Sequence, residues 1–542
     1  MRTFLMLRTY ALWPVSPPNH NKHGRETGSI NRVSPVLLLI FLSACSPISV
    51  TQADITLTPL NANTPAAVNT PTPTAFLSPL PEIEPTSTLL QSPYPLTSPT
   101  VTPFPPTALP TATPSGNVYH VAPDGNDGNS GTLEQPWRTV QHAADNLAPG
   151  DTVYLHTGIY YEHVIFTRSG SPEKMITLSA YPGETVTLDG EGFDMWNWSG
   201  VIDLSGQHHI RVSGLQIINS SYAGVFADGG RNFVVDHLYT YNTASSGIAF
   251  FGTQEVLVDS NEVVWAGSGG VQEHITLANT QNFEVRYNHV HDFNPATGGK
   301  EGIDAKDGSA NGSIHHNHVH DLDRVGIYVD AYAQHTYNIQ VYANEVHDIA
   351  ADGFSLAAEA GGLLENISLY NNLAYDNMNH GLSLSNCCDD LAANHPMQHI
   401  LIINNTFANN GWDWGGGIRI ANPDMTDVIM RNNILSQNAS FQLLTESWAQ
   451  AVALTVDYNL IDGYRGQAGE FYGEGYVTGS PLFVNTAQSD FHLQPQSPAI
   501  DAGSSLDAPS VDFADNPRPL GGDRNGTSGV DIGAYEWVPG DG

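Results

Sequence analysis

Between residues 300 and 362 the chain repeats one phrase three times. EGIDAK (301–306), VGIYVD (325–330) and DGFSLA (352–357) align on Gly302, Gly326 and Gly353. One and three places after each glycine stand Ile303 and Ala305, Ile327 and Val329, Phe354 and Leu356, an apolar file with the period of two of a β-strand. Asp304, Lys306, Tyr328, Asp330 and Ser355 lie between them and point the other way. Related phrases recur as SGIAFF, HITLAN, HGLSLS and GGIRIA, led by Gly247, His274, Gly381 and Gly417. Asparagines keep the same register: Asn261, Asn288, Asn317, Asn344, Asn372, Asn405 and Asn433 follow one another at 27, 29, 27, 28, 33 and 28 residues. A fixed period of that length denotes a solenoid, and strand-length alternations without a helix-length face exclude helical and leucine-rich repeats. Three short strands per repeat predict an all-β fold, each repeat one coil of a parallel β-helix.

The register also assigns polar columns. The asparagines are expected to stack as a ladder, each amide bonding the next across a turn. His291, His320 and His347 recur in VHD phrases with Asp292, Asp321 and Asp348, and the column continues as Tyr375-Asp376. They are read as turn residues, because a straight ladder does not offer the tetrahedral ligand set of zinc.

Before the repeats, Val140, Ala143, Ala144 and Leu147 share one helical face, and Pro149-Gly150-Asp151 ends that helix before a strand at 152–155. This helix is expected to cap the open end of the solenoid. After Asn433 the pattern dissolves, and the tail from 479 is expected to close the last coil, whose bare strand edge would otherwise pair with another chain. The resulting division is a leader at 1–45, a stalk at 46–116, a β-helix domain at 117–478 and a C-terminal segment at 479–542.

The leader holds a short apolar run, VSPVLLLIFLSA (33–44), after Lys22, Arg25 and Arg32. It is too short to span a bilayer comfortably and reads as a secretion signal. Leu42-Ser43-Ala44-Cys45 resembles the lipobox of bacterial lipoproteins, implying lipid on Cys45 and a cell-surface, extracellular location. The stalk is Thr, Pro, Ser and Ala with almost no charge, a composition that stays extended instead of burying a core.

Charge narrows the partners. With 19 Lys plus Arg against 55 Asp plus Glu the formal net charge is −36, which excludes nucleic-acid or anionic-membrane binding through a basic face. Three cysteines, Cys45, Cys387 and Cys388, exclude a disulfide-built fold. A monomer is expected, touching the membrane only through Cys45.

The chemistry falls on the outward file. Stacked strands would gather Asp304, Lys306, Tyr328 and Asp330 into one surface patch, with Glu359 at its edge. Arg419 continues the file beside Trp412 and Trp414, whose WDWGGG setting favours exposure. The tryptophans and His274 are assigned to substrate binding. Lys306 and Asp330 occupy matching positions in adjacent coils and can equally form a salt bridge.

The segment YHVAPDGNDGNSGTLEQPWRTVQHAADNLAPGDTVYLHTGIYYEHV (119–163) resembles the start of right-handed parallel β-helix enzymes that act on polysaccharides, including the family 9 pectate lyases. The resemblance extends through the repeats to about Asn438, and the tail resembles a choice-of-anchor Q segment. It implies a right-handed β-helix, a polysaccharide substrate and calcium. Those lyases carry an ADGFxxK-like strand, then DDGWD, then GFKLG. EGIDAK resembles the first, with Glu301 at the Asp position. At the second this chain has Arg324-Val325-Gly326-Ile327-Tyr328, without its aspartates, and at the third Ser355 stands where the lysine base would be. Two mechanisms stay open. One is β-elimination on a uronate, with Lys306 as base, Arg419 neutralising the carboxylate and calcium on Glu301, Asp304 and Asp330. The other is glycoside hydrolysis by a carboxyl pair drawn from Asp304, Asp330 and Glu359. A surface glycan-binding protein without chemistry is the third reading.

Overall fold

The structure, a computed structural model, describes residues 115–195, 198–386, 394–449, 453–521 and 528–538. The expected leader, Cys45, most of the stalk and Cys387-Cys388 lie outside them. Three parallel sheets of 13, 11 and 13 strands run the length of the β-helix, with each strand paired to its counterpart one coil away. The expected register holds: Ile303 pairs with Ile327 and Ile327 with Phe354, and the file extends through Leu382 to Ile418. Because every coil adds the same apolar positions to one interior, a single core runs from Val121 to Ile461.

Helix α1 (Val140–Asn146) buries Val140, Ala143 and Ala144, with Thr139 as N-cap accepting from the His142 amide at 3.2 Å. It packs against the first coil, and the strand Thr152–Leu155 follows.

The asparagine ladder is continuous. Each Nδ2 donates to the next Oδ1 at 2.9–3.0 Å from Asn261 to Asn433, and Asn459 extends the column. A second buried ladder, Asn377–Asn410–Asn438, ends on Gln442.

The tail departs from expectation. Residues 463–476, not the segment after 479, cover the last coil: Leu444 bridges Glu470, and the Phe471 amide donates to the Leu443 carbonyl at 3.1 Å. The C-terminal segment instead runs back along the flank. Phe491 and Tyr535 pack on Leu373, Tyr375 and Ala408, while Ile532 and Trp537 pack on Ile434 and Leu460. The reason lies in Asn371, Asn404 and Asn432, whose side chains donate to carbonyls of Val511, Asp531 and Ser504 and so fasten the tail across several coils. Arg518, fully buried against Glu536 at 2.8 Å, locks that arrangement.

Candidate active site

Asp304, Lys306, Tyr328 and Asp330 do turn away from the core, but they do not form an exposed patch. Asp304 is 2% and Asp330 4% exposed. Glu273 and Glu359, themselves buried just outside the ends of strands 275–278 and 354–358, act electrostatically on the two aspartates. Lys306 and Tyr328 keep partial access to solvent and form the mouth of the cluster.

Glu273 is the residue sequence reasoning missed. Lys306 Nζ donates to Glu273 Oε1 at 2.7 Å and lies 3.6 Å from Asp304 Oδ2. The other Glu273 oxygen accepts from Thr276 Oγ1 at 2.8 Å, and Thr276 meets Ser246 at 2.8 Å. The expected pairing of Lys306 with Asp330 is replaced by these contacts, because the glutamate reaches the ammonium from the preceding coil. The signal was present: Glu273 stands two residues before Ile275, as Glu301 stands two before Ile303, and those isoleucines pair in register. On the next coils Tyr328 donates a short hydrogen bond to Glu359 Oε1.

Burial and neighbours split the ionisation of these groups. Asp304 is held well above the usual carboxyl range by burial and by Asp330, and Asp330 by burial and Glu359. Glu301 is raised by burial and by Glu273. Burial opposes charge on Glu273 too, but Lys306 outweighs it and the carboxyl stays ionised below its ordinary range. Lys306 is pushed up: Glu273, Asp304 and Asp330 outweigh its burial. A lysine so held keeps its proton, so the role of general base expected for it does not fit. The Tyr328 phenol is raised by burial and by Glu359, and remains protonated.

Three other expectations change. His274 is buried with both ring nitrogens taken up by backbone, 3.1 Å from the Glu301 carbonyl and 3.4 Å from that of Asp292, so it holds two turns together and has no polar atom left for a substrate. Arg419 lies in the same file as Asp304 but beyond Tyr328, Ser355 and Ser383, on the order of 19 Å away at the strand spacing. It pairs with Glu446 at 2.9 Å and cannot neutralise a group at Lys306. The calcium trio offers orphaned donors, since Glu301 Oε2, Asp304 Oδ1 and Asp330 Oδ1 are buried without a protein partner. Among the described residues, however, the sets of three ligand atoms within 4.8 Å of one another are both built on histidines, and Glu301, Asp304 and Asp330 form none. The ammonium of Lys306 already supplies the cation among these acids, so the residues do not fit a calcium cage.

Aromatic side chains flank the cluster along the file. Trp412 is 74% exposed; Trp414 and Trp448 lie about Arg419, whose guanidinium carbon is 5.9 and 6.0 Å from their rings. Trp448 was not singled out in sequence, for it sits outside the glycine-led phrase. At the other side exposed Trp198 meets Phe251 edge-on at 4.8 Å, two coils before Lys306. A charged cluster between two aromatic platforms suits an extended chain of polar rings with apolar faces.

Comparison with known proteins places the chain among such folds. A family described as "Pel9A-like, right handed beta helix region" matches residues 119–268, and "Right handed beta helix region" matches 272–395. The chain is 26% identical over 439 residues to the uncharacterized protein YwoF of Bacillus subtilis, covering 71% of this chain and 92% of the relative. It is 30% identical over 169 residues to pectate lyase PEL9 of Emericella nidulans, covering 29% of this chain and 40% of that enzyme. The crystal structure of pectate lyase Pel9A is similar with a TM-score of 0.48 and 16% identity, covering 78% of this chain and 97% of that one.

Proposed function

We propose that this chain, a parallel β-helix that matches the Pel9A-like and right-handed β-helix families over 119–268 and 272–395, is a polysaccharide-active enzyme cleaving glycosidic bonds by acid–base hydrolysis at the Lys306 cluster. The observation that carries the reading is two carboxyl groups around one ammonium, Asp304 at 3.6 Å and Glu273 at 2.7 Å from Lys306 Nζ, in environments that push them apart: burial and Asp330 raise Asp304, while Lys306 holds Glu273 down against its burial. Neighbouring carboxyls whose environments push them apart are the arrangement that acid and base roles require. Asp304 gives its proton to the leaving glycosidic oxygen. Glu273 accepts a proton from the attacking water, and Lys306 keeps Glu273 ionised while Asp304 stays neutral. Tyr328, whose hydroxyl donates to Glu359, borders the mouth and accepts from a sugar hydroxyl. The platforms of Trp198 with Phe251 and of Trp412, Trp414 and Trp448 hold rings on either side, with Arg419 contacting a substrate substituent far from the bond that breaks. The leader and stalk support secretion, with lipid on Cys45 tethering the enzyme at the cell surface.

β-Elimination is the second reading, favoured by the likeness to pectate lyase PEL9. In it Lys306 holds a uronate carboxylate as a cation, and another group takes the proton. The purified chain incubated with uronate and neutral polysaccharides separates the readings. Reducing ends without the ultraviolet absorbance of an unsaturated product are expected. Absorbing product means elimination, and neither product means a binding protein.

A further inference from the structure

The histidine column read as turn residues is one half of a denser arrangement. On the sheet opposite in sequence to the candidate site, His289 and His291 flank buried Val290, His318 and His320 flank Val319, and Glu345 and His347 flank Val346. Their strands pair rung on rung, so two outward columns stand side by side. The columns converge diagonally. His289 Nε2 lies 2.7 Å from His320 Nε2, and His318 Nε2 lies 2.8 Å from His347 Nε2. His291 Nε2 adds to the first pair, with Glu262 Oε1 3.4 Å away, and Glu345 adds to the second.

Tautomers are set from outside. His291, His320 and His347 each place Nδ1 2.7–2.9 Å from the carboxylate of the next residue, Asp292, Asp321 or Asp348. Those aspartates adopt left-handed backbone angles, φ 57°, 53° and 53°, which turns each side chain back onto the ring before it. A carboxylate only accepts, so Nδ1 carries the proton and Nε2 presents its lone pair to the cluster. This is the carboxylate–histidine arrangement that orients metal ligands.

We propose that this face binds two divalent transition-metal ions of the imidazole-preferring class, zinc being the probe: one held by His289, His291 and His320, the other by His318, His347 and Glu345. In each set the ligand atoms lie within 4.8 Å of one another. A tetrahedral zinc with Zn–N of about 2.05 Å sets its nitrogens roughly 3.3 Å apart, so each diagonal pair opens by a few tenths of an ångström. Glu262 completes the first site with a fourth ligand, which is the closed set of a structural ion. The second has three protein ligands, and Tyr375 donates to Glu345 Oε1 at 2.6 Å, leaving a position for water. Together the ions tie four successive coils, from Glu262 through His289 and His318 to Glu345.

The test is calorimetric titration of zinc into the chelator-stripped full chain with its thiols alkylated, paired with thermal unfolding. Two ions per chain and a raised Tm are expected. His320→Gln and His347→Gln should each remove one ion while far-ultraviolet circular dichroism stays unchanged. If His320→Gln fails to fold, Asp321→Asn serves in its place, and if His347→Gln fails, Asp348→Asn does; neither aspartate touches metal, and each change should weaken only its own site by 10–100-fold. Absence of saturable binding, or two ions still bound in the His320→Gln/His347→Gln chain, overturns the proposal.

Discussion

Lys306 Nζ and Glu273 Oε1 stand 2.7 Å apart although 33 residues separate them, the glutamate buried and the lysine largely so. One coil of the solenoid brings them together. A buried pair of this kind is costly to break from one side, because the remaining charge loses its partner in a medium that solvates it poorly. Lys306→Met should therefore destabilise the chain by about 3–5 kcal/mol and abolish turnover, read by urea unfolding and product release. Glu273→Gln keeps the shape and leaves Lys306 beside Asp304 and Asp330. It should lower kcat by roughly 10²–10⁴-fold with a smaller effect on folding. Equal unfolding midpoints for Lys306→Met and the unaltered chain would contradict the pairing.

The raised carboxyls make a pH prediction. Asp304 and Asp330 bind protons more tightly folded than unfolded, so their contribution to stability is full below the unfolded carboxyl value of about 3.9 and is lost as pH rises toward the higher folded value. Glu273 acts oppositely: its contribution is present above the unfolded value and is lost as pH falls through the lowered folded one. Asp304→Asn should flatten the decline of Tm with rising pH. An unchanged slope would mean that Asp304 ionises normally.

The Asn ladder carries stability and no chemistry. Asn344 donates to Asn372 and to the Ile314 carbonyl and accepts from Asn317, all in the interior. Asn344→Ala orphans the Asn317 amide and should cost about 3 kcal/mol by chemical denaturation, with activity per folded molecule unchanged. Asn366, half-buried in a side ladder, is the control and should cost less when changed to Ala.

Trp412 and Trp414 rest on the surface, so Ala at both should spare Tm. Loss of ring stacking worth about 1 kcal/mol should raise KM several-fold while kcat changes little, as determined by initial rates on the polymer. A collapse of kcat with unchanged KM would place the tryptophans at the reacting bond instead.

Calcium and the histidine face are separable by readout and by the ion that restores it, turnover by calcium and Tm by zinc. EGTA should leave turnover unchanged, since no calcium cage is built at Asp304. EDTA should lower Tm by withdrawing the transition metal. A turnover abolished by EGTA and restored by calcium would return the metal to the cluster.

The fold was legible because every coil repeats the same constraint. Alternation at Ile303 and Ala305, the glycines before them and the asparagine period each restate the register, and the strand pairing follows residue by residue. The site was legible only in place. Period-two reasoning tells which way Asp304 points, but not that Glu273 and Glu359 lie buried beside the cluster, because side chains at strand ends leave the alternation. Burial and neighbouring charge then redirect the chemistry: a lysine read as a base is held as a cation, and aspartates read as metal ligands are pushed toward the neutral form. The same limit applies to His274, outward by position yet swallowed by the turns of Glu301 and Asp292. It applies again to the histidine column, whose second set of ligands, His289 and His318, lies two residues away and meets it only on the diagonal.

The central claim is that Asp304 protonates the leaving oxygen. It is tested most directly by comparing Asp304→Asn with the unaltered chain on the polymer and on an aryl glycoside of the sugar that the enzyme releases. The polymer needs the proton and the activated aryl group does not. The account expects a loss of roughly 10²–10⁴-fold on the polymer and near-normal release of the aryl group. Equal losses on both substrates, or full polymer cleavage by Asp304→Asn, would contradict it.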